Sequence, residues 1–305
     1  MNTVWEQRQV PWNGVGVDTT QAQSVEEAMA ISQLDWEVKT QPMTDVFGNV
    51  IPDWQEVMRM DNHNPLGVVK GRYSTIQNRE AFSFIDYMLQ DGATFERAGC
   101  YHGGEMTWMS IKLPSRQIAG EPFDLYAFIM TGHDGNHSLF AAFTTIRAWC
   151  CNMAHLVSKN AHYKFTISHK GNVEGKMEEA KQVLIHADNY YNGLEDTAQM
   201  LRQIKLDKAK AKKVIDSLVP INEDKMSENQ IINLQHRREH MAYIFLEAPD
   251  LQNEDMNGWR FINAVSDYET HFVPSRFSDN YSENRLIHLV TENSLVDKAY
   301  DMIVA

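Results

Sequence analysis

Cysteine is scarce in this chain: Cys100, Cys150 and Cys151 are the three in 305 residues. Three thiols cannot supply a disulfide framework, so the chain reads as belonging to a reducing compartment. Cations are short as well, with 28 Lys and Arg against 41 Asp and Glu, a net charge of −13. That excludes a globally basic, histone-like nucleic-acid binder. A local basic groove stays open, because net charge describes the far field and not one cleft. No run approaches about 18 consecutive apolar residues, so no membrane partner is expected. The start, MNTVWEQRQVPWNG, has no basic stretch followed by an apolar one and does not read as a signal peptide. The G-x-x-x-x-G-K-[ST] phosphate loop, G-x-S-x-G and H-E-x-x-H are also missing. Gly14-Val15-Gly16 lacks the third glycine and the preceding strand of a dinucleotide fingerprint, and reads as a flexible loop. What is present, 43% apolar and 10% aromatic residues, suffices for a real core. A soluble cytoplasmic protein is the expectation.

The patterning predicts an α+β fold: an antiparallel β-meander with packed helices, followed by a mostly helical C-terminal region. Ser24 and Glu27 form an S-x-x-E capping box before Ala28, Ile31 and Leu34, which recur at helical spacing. Residues 36–40 alternate as a strand that Pro42 should end, and 43–53 read as a turn-rich connection. Strands follow at 55–60 and 66–76, around the turn cluster Asp61-Asn62-His63-Asn64-Pro65. Asn78 is placed to cap a helix over 79–90, where Phe82, Ile85, Met88 and Leu89 share a face. Residues 94–148 hold four β-rich runs, TFERAGCY, EMTWMSIKL, DLYAFIMTG and SLFAAFTTIRAW, whose short connections imply antiparallel pairing. A helix is expected over 150–159 and a strand at 162–169. Beyond Asn172 the pattern is helical: a long segment over 173–216 with a weak break at Asn192-Gly193, stopped by Pro220, then 227–247, 257–272 and 282–304. Two units follow from this, 1–172 as the α+β core with its antiparallel sheet and 173–305 as a helical region.

Three constellations bear on chemistry. His133-x3-His137 followed by Cys151-x3-His155 has a spacing that zinc accepts, the second pair lying one helical turn apart. The plainer reading makes the cysteine a small buried apolar residue and the histidines turn and surface residues, so no metal is assigned. Cys150 or Cys151 at a helix N-terminus, with His155 along that helix, would suit a nucleophilic thiol. A free cysteine is more often simply buried, and no catalytic residue is assigned. Cations are the third. Arg147, Lys159, Lys164 and Lys170 fall around the end of the meander, its following helix and the next strand. Tyr101, Trp108, Trp149, Tyr163 and Phe165 interleave with them, the combination that single-strand binding uses: cations for phosphates and rings for bases. A second run, Arg202, Lys205, Lys208, Lys210, Lys212 and Lys213, shares one helix and reads as a solvated face. His236-Arg237-Arg238 is a third.

The order of several short pieces resembles the phage/plasmid-like protein family, whose domain has no assigned function. The pieces are Trp12-Asn13-Gly14-Val15-Gly16, Leu34-Asp35-Trp36-Glu37-Val38, Leu66-Gly67-Val68-Val69, Arg72-Tyr73 and Gln77-Asn78. Further on come Ala98-Gly99, Gly103-Gly104, Trp108, His133-Asp134-Gly135, Arg147 with Cys150 and Asn152, and Gly258 through Tyr268. The resemblance supports Cys150 over Cys151 and lends nothing to His137 or His155. It implies a mobile-element protein acting in the bacterial host cytoplasm. The expected succession of helix, meander and helix is in turn similar to the β-β-β-α core of RAD-type single-strand annealing recombinases, a fold-level analogy. The leading expectation is therefore a homo-oligomer that binds single-stranded DNA and promotes annealing with neither nucleotide hydrolysis nor a cofactor. In it Arg147, Lys159, Lys164 and Lys170 hold phosphates and Tyr163 supports bases. One rival is an acidic interaction protein whose helical half binds a host or phage protein. The other is a metal- or cysteine-dependent enzyme.

Overall fold

The computed structural model describes residues 15–83, 85–90, 92–147, 150–151, 164–170, 175, 187–273, 281 and 295–305, with the backbone alone at 144–147, 150–151, 164–165 and 187–189. The fold is α+β. Its main sheet is antiparallel, built from β1 (Val17–Asp18), β5 (Thr94–Tyr101), β6 (Met106–Lys112), β8 (Glu121–Gly132) and β9 (Leu139–Arg147) in that spatial order, with β7 (Arg116–Ile118) folded onto β8. On the outer edge of β9 lie β10 (Cys150–Cys151) and β11 (Lys164–Ile167). The smaller sheet is β2 (Val38–Thr44), β3 (Val50–Arg59) and β4 (Pro65–Lys70).

Side chains alternate across the main sheet, yet both faces are buried. Met109, Ile111, Ala127, Ile129, Ala141 and Phe143 belong to one core, while Met106, Trp108, Phe128, Met130 and Phe140 form another on the opposite side. This is why these strands read as near-continuous apolar runs and not as a polar–apolar alternation. Trp108 is fully buried, stacked on Phe128 with ring centroids 5.2 Å apart. Gly16 approaches that indole at φ +64°, and a Cβ there would lie 2.7 Å from the ring. Val15 and Gly16 are thus packed in place, where a flexible loop was expected, because Val15 is buried in the second core.

The α-helices are α1 (Val25–Ser32), α2 (Asn78–Phe82), α3 (Ile85–Leu89), α4 (Ala187–Gln203), α5 (Lys208–Leu218), α6 (Glu228–Glu247), α7 (Gly258–His271) and α8 (Leu295–Val304), with short 3-10 turns at His102–Gly104 and Pro249–Leu251. Ser24 caps α1 by accepting the Glu27 N–H, as its sequence predicts, while the Glu27 carboxylate accepts the Gln23 N–H in place of the Ser24 N–H that a full capping box would use. The continuous helix expected over 79–90 is instead α2 and α3; the Ser83 hydroxyl donates back to the Glu80 carbonyl, a local bond that competes with helix propagation. Downstream, the break falls between Gln203 and Lys208 and not at Asn192-Gly193. There the backbone is drawn off to residues 256–258: Leu206 N–H donates to Met256 O and Gly258 N–H to Ile204 O. Helix α7 is buried on nearly every side, with Trp259, Phe261, Ile262, Ala264, Val265 and Tyr268 inside. Its Arg260 guanidinium reaches the carbonyls of Phe245, Leu246 and Glu254, so it caps the end of α6. Phe143 packs on Tyr190 and Phe123 on Trp259, so residues on both sides of the expected 172/173 boundary share one buried cluster.

Residues 43–53, expected as a connection, are the heart of a hairpin. Pro42 does not end β2, since it sits on an edge strand beside a register shift and gives up no ladder bond the sheet needs. Strand β4 stops at Lys70, short of the expected 76. The helix expected from Cys150 begins instead as β10, Cys150 pairing with Arg147 and Cys151 with Ile146; residues 152–160 lie outside the described part. Among the described residues no helix is long and apolar enough to cross a membrane.

Candidate functional site

The sequence placed phosphate-binding cations at the end of the meander. Strand β11 folds onto β9 with Lys164 opposite Ala142 and Ile167 opposite Leu139, while Arg147 pairs with Cys150 five residues farther along β9. Positions 147 and 164 therefore border one sheet edge, about 17 Å apart along the strand at ordinary β rise, but at register positions that belong to opposite faces of the sheet. Lys170 is exposed, three residues past the end of β11. Lys159, Tyr163 and His155 lie outside the described residues, as does Trp149. Of the expected base platforms, Tyr101 and Trp108 are unusable: both are packed inside the second core, where a nucleobase cannot reach. The second cation run does not share one helix: Arg202 lies in the last turn of α4 and pairs with Glu254 at 2.6 Å, Lys205 falls between the helices, and the remaining lysines are on α5, where they face solvent as expected. Ala211, Ile215 and Leu218 turn inward, and Lys205, Lys208, Lys210, Lys212 and Lys213 point to water, with Lys212 paired to Asp216 at 2.6 Å.

A second focus lies where the two sheets meet. Asn78, expected as a helix cap, sits inside α2 with its carboxamide turned into the core. Its Nδ2 donates to Leu34 O at 2.9 Å, and its Oδ1 accepts the Thr107 hydroxyl at 2.9 Å. The same Oδ1 lies 2.9 Å from His133 Nε2. An oxygen can only accept, so His133 carries its proton on Nε2 and keeps a lone pair on Nδ1. His169 is the mirror case: Nδ1 faces the Ser74 carbonyl at 3.1 Å, which leaves the lone pair on Nε2. Both lone pairs are buried, and neither has a hydrogen-bond partner among the described residues.

Burial, together with the neighbouring His169, pushes His133 down to about 3. Burial also lowers His169, outweighing the Ser74 carbonyl and the Asp134 charge. Asp134 would be raised by burial, but the N–H groups of His137 and Asn136 and the His137 ring hold it below the usual carboxylate range. Aromatic rings close the site. Trp36 meets His133 edge-on at 5.5 Å, Tyr73 stacks on His169 at 4.8 Å, and Arg59 lies 4.4 Å over Trp36.

Glycines let the backbones approach. A Cβ on Gly67 would collide with the Asp134 backbone and one on Gly135 with Val69, while one on Gly104, at φ +118°, would press on the Trp36 ring at 3.1 Å. Pieces scattered along the sequence, Trp36, Leu66-Gly67, Tyr73, Asn78, Gly103-Gly104 and His133-Asp134-Gly135, are thus gathered at one junction. His169 and Thr107 belong there too, although no local pattern marks them. Of the four residues with zinc-like spacing, His155 and the Cys151 side chain lie outside what the structure describes. His133 is held by Asn78 and His137 by Asp134, and among the described residues no group of three or more His, Cys, Asp or Glu is arranged to hold a metal. Nor does a helix N-terminus activate Cys150 or Cys151, since both lie in β10.

No curated protein and no solved structure matches the chain. A family model does, over residues 65–290, running from β4 through the sheet and past α7. That span takes in most of the junction and the whole β9 edge, and it identifies the chain as a member of the DUF932 family, a domain of unknown function.

Proposed function

We propose that this is a mobile-element protein that binds single-stranded DNA along the outer edge of β9 and promotes annealing without nucleotide hydrolysis. The observation that supports it is the fold-back of β11 onto β9. Residues 147 and 164, far apart in the chain, come to border one edge of β9 about 17 Å apart along the strand. Lys170, exposed, follows three residues beyond the end of β11. Cations on an edge grip the phosphate backbone and leave bases free for a complementary strand, which annealing requires. The phage or plasmid setting and the likeness to RAD-type recombinases rest on the sequence resemblance and on the helix-then-meander order.

The test is fluorescence anisotropy of a labelled single-stranded oligonucleotide titrated with the full chain at several salt concentrations. Binding should weaken as salt rises, and Arg147→Ala, Lys164→Ala and Lys170→Ala should each lower the log–log salt slope by about one. Absence of salt-sensitive binding ends the proposal. Loss on substituting Lys208 and Lys210 of α5, with the edge variants unchanged, moves the site off β9 and ends it equally. The exposed apolar tip at Val46 and Phe47 favours a second reading, a protein partner.

A further inference from the structure

The β2–β3 hairpin projects beyond its sheet, and every residue from Thr44 to Val50 is exposed. Its tip is nonetheless well fixed. The Asp45 carboxylate accepts the N–H groups of Phe47 and Asn49 at 2.9 Å each and the Asn49 side-chain amide at 3.0 Å. Asp45 N–H donates to Asn49 O at 2.8 Å, and Gly48 takes the positive φ of +86° that closes the loop. This turn holds up two apolar side chains, Val46 at 93% and Phe47 at 87% exposure. A pre-ordered apolar tip loses little conformational entropy on docking, so burial of its side chains goes largely into affinity.

Charge selects the occupant. Residues 41–56 carry Asp45, Asp53 and Glu56 and no cation, so a polyanion is repelled and a protein surface is favoured. The chain itself offers a matching surface. An open groove of about 900 Å³ runs between the first half of α6 and the end of α7, with Ile232, Leu234, Phe272 and Val273 on its walls. Ile232 is 46% and Val273 53% exposed. His236 and Arg237 also line it, and no carboxylate does among the described residues. We infer that the Val46-Phe47 tip of one chain docks in the α6–α7 groove of a second copy, with the acidic hairpin stem against Arg237. The two patches are unlike, so the contact either closes reciprocally in a dimer or propagates from chain to chain.

Sedimentation velocity of the full chain over a concentration series, without nucleic acid, tests this apart from the DNA reading. Wild type should self-associate. Phe47→Asp and Ile232→Asp should each weaken association by about tenfold or more while leaving the unfolding midpoint unchanged, since both side chains are exposed. Phe47→Ser and Val273→Asp repeat the two arms. Mixing Phe47→Asp with Ile232→Asp should restore association through the one intact tip and the one intact groove. A wild type that stays monomeric overturns the inference. So does either variant associating like wild type, or a mixture that stays dissociated.

Discussion

The sheet junction and the β2–β3 hairpin solve opposite problems. At the junction, polar groups are buried and nearly every bond is internal: Asn78 alone satisfies Leu34, Thr107 and His133. At the hairpin tip, apolar groups are exposed while the polar backbone is satisfied by Asp45. A buried hydrogen-bond hub contributes to stability because leaving its partners unpaired is costly, whereas an exposed apolar side chain contributes almost nothing until something covers it. Substitutions at the first should therefore act on folding, and those at the second on association.

The largest effect should come from Asn78→Leu, which leaves a carbonyl, a hydroxyl and an imidazole N–H buried without partners. Chemical denaturation should show a loss of about 3–5 kcal/mol. Gly67→Ala follows, because its methyl group must push against the Asp134 backbone; a loss near the top of the usual overpacking range, about 3 kcal/mol, is expected from the same measurement. Acid comes next. His133 is held neutral in the fold, down to about 3, while the unfolded chain takes up its proton near its ordinary value of 6.5. Stability is thus constant above that value and falls as pH drops below it, by about 2 kcal/mol from His133 between pH 6.5 and 5. His169 adds in the same direction. Urea unfolding at the two pH values checks this, and His133→Gln should flatten the slope. Smallest is Phe47→Ser, within about 0.5 kcal/mol of wild type in thermal unfolding. A larger loss there would erase the contrast between the two regions.

Much of the meander was legible. TFERAGCY, EMTWMSIKL and DLYAFIMTG became β5, β6 and the greater part of β8 because glycine-containing turns punctuate apolar runs of strand length. The hairpin at 43–53 was not, since Pro42 looks like a stop and its tolerance depends on lying at a sheet edge, which is a tertiary fact. The junction was half visible. Its glycines and His133-Asp134 stood out, but Asn78 has the same chemistry as a helix cap, and its true role needs Thr107 and His133 brought to it from 29 and 55 residues away. His169 carries no local signal at all. The cations were legible as residue types alone, and the β11 register adds only that positions 147 and 164 border the same edge of β9.

Arg260 carries one consequence for how the helical half comes apart. Its guanidinium lies within α7 but terminates α6, so fraying of the last turn of α6 would strand a cation away from water. The two helices should consequently open as a single cooperative unit, and their amide protons should exchange with deuterium at one common rate rather than in sequence from the end of α6 inward.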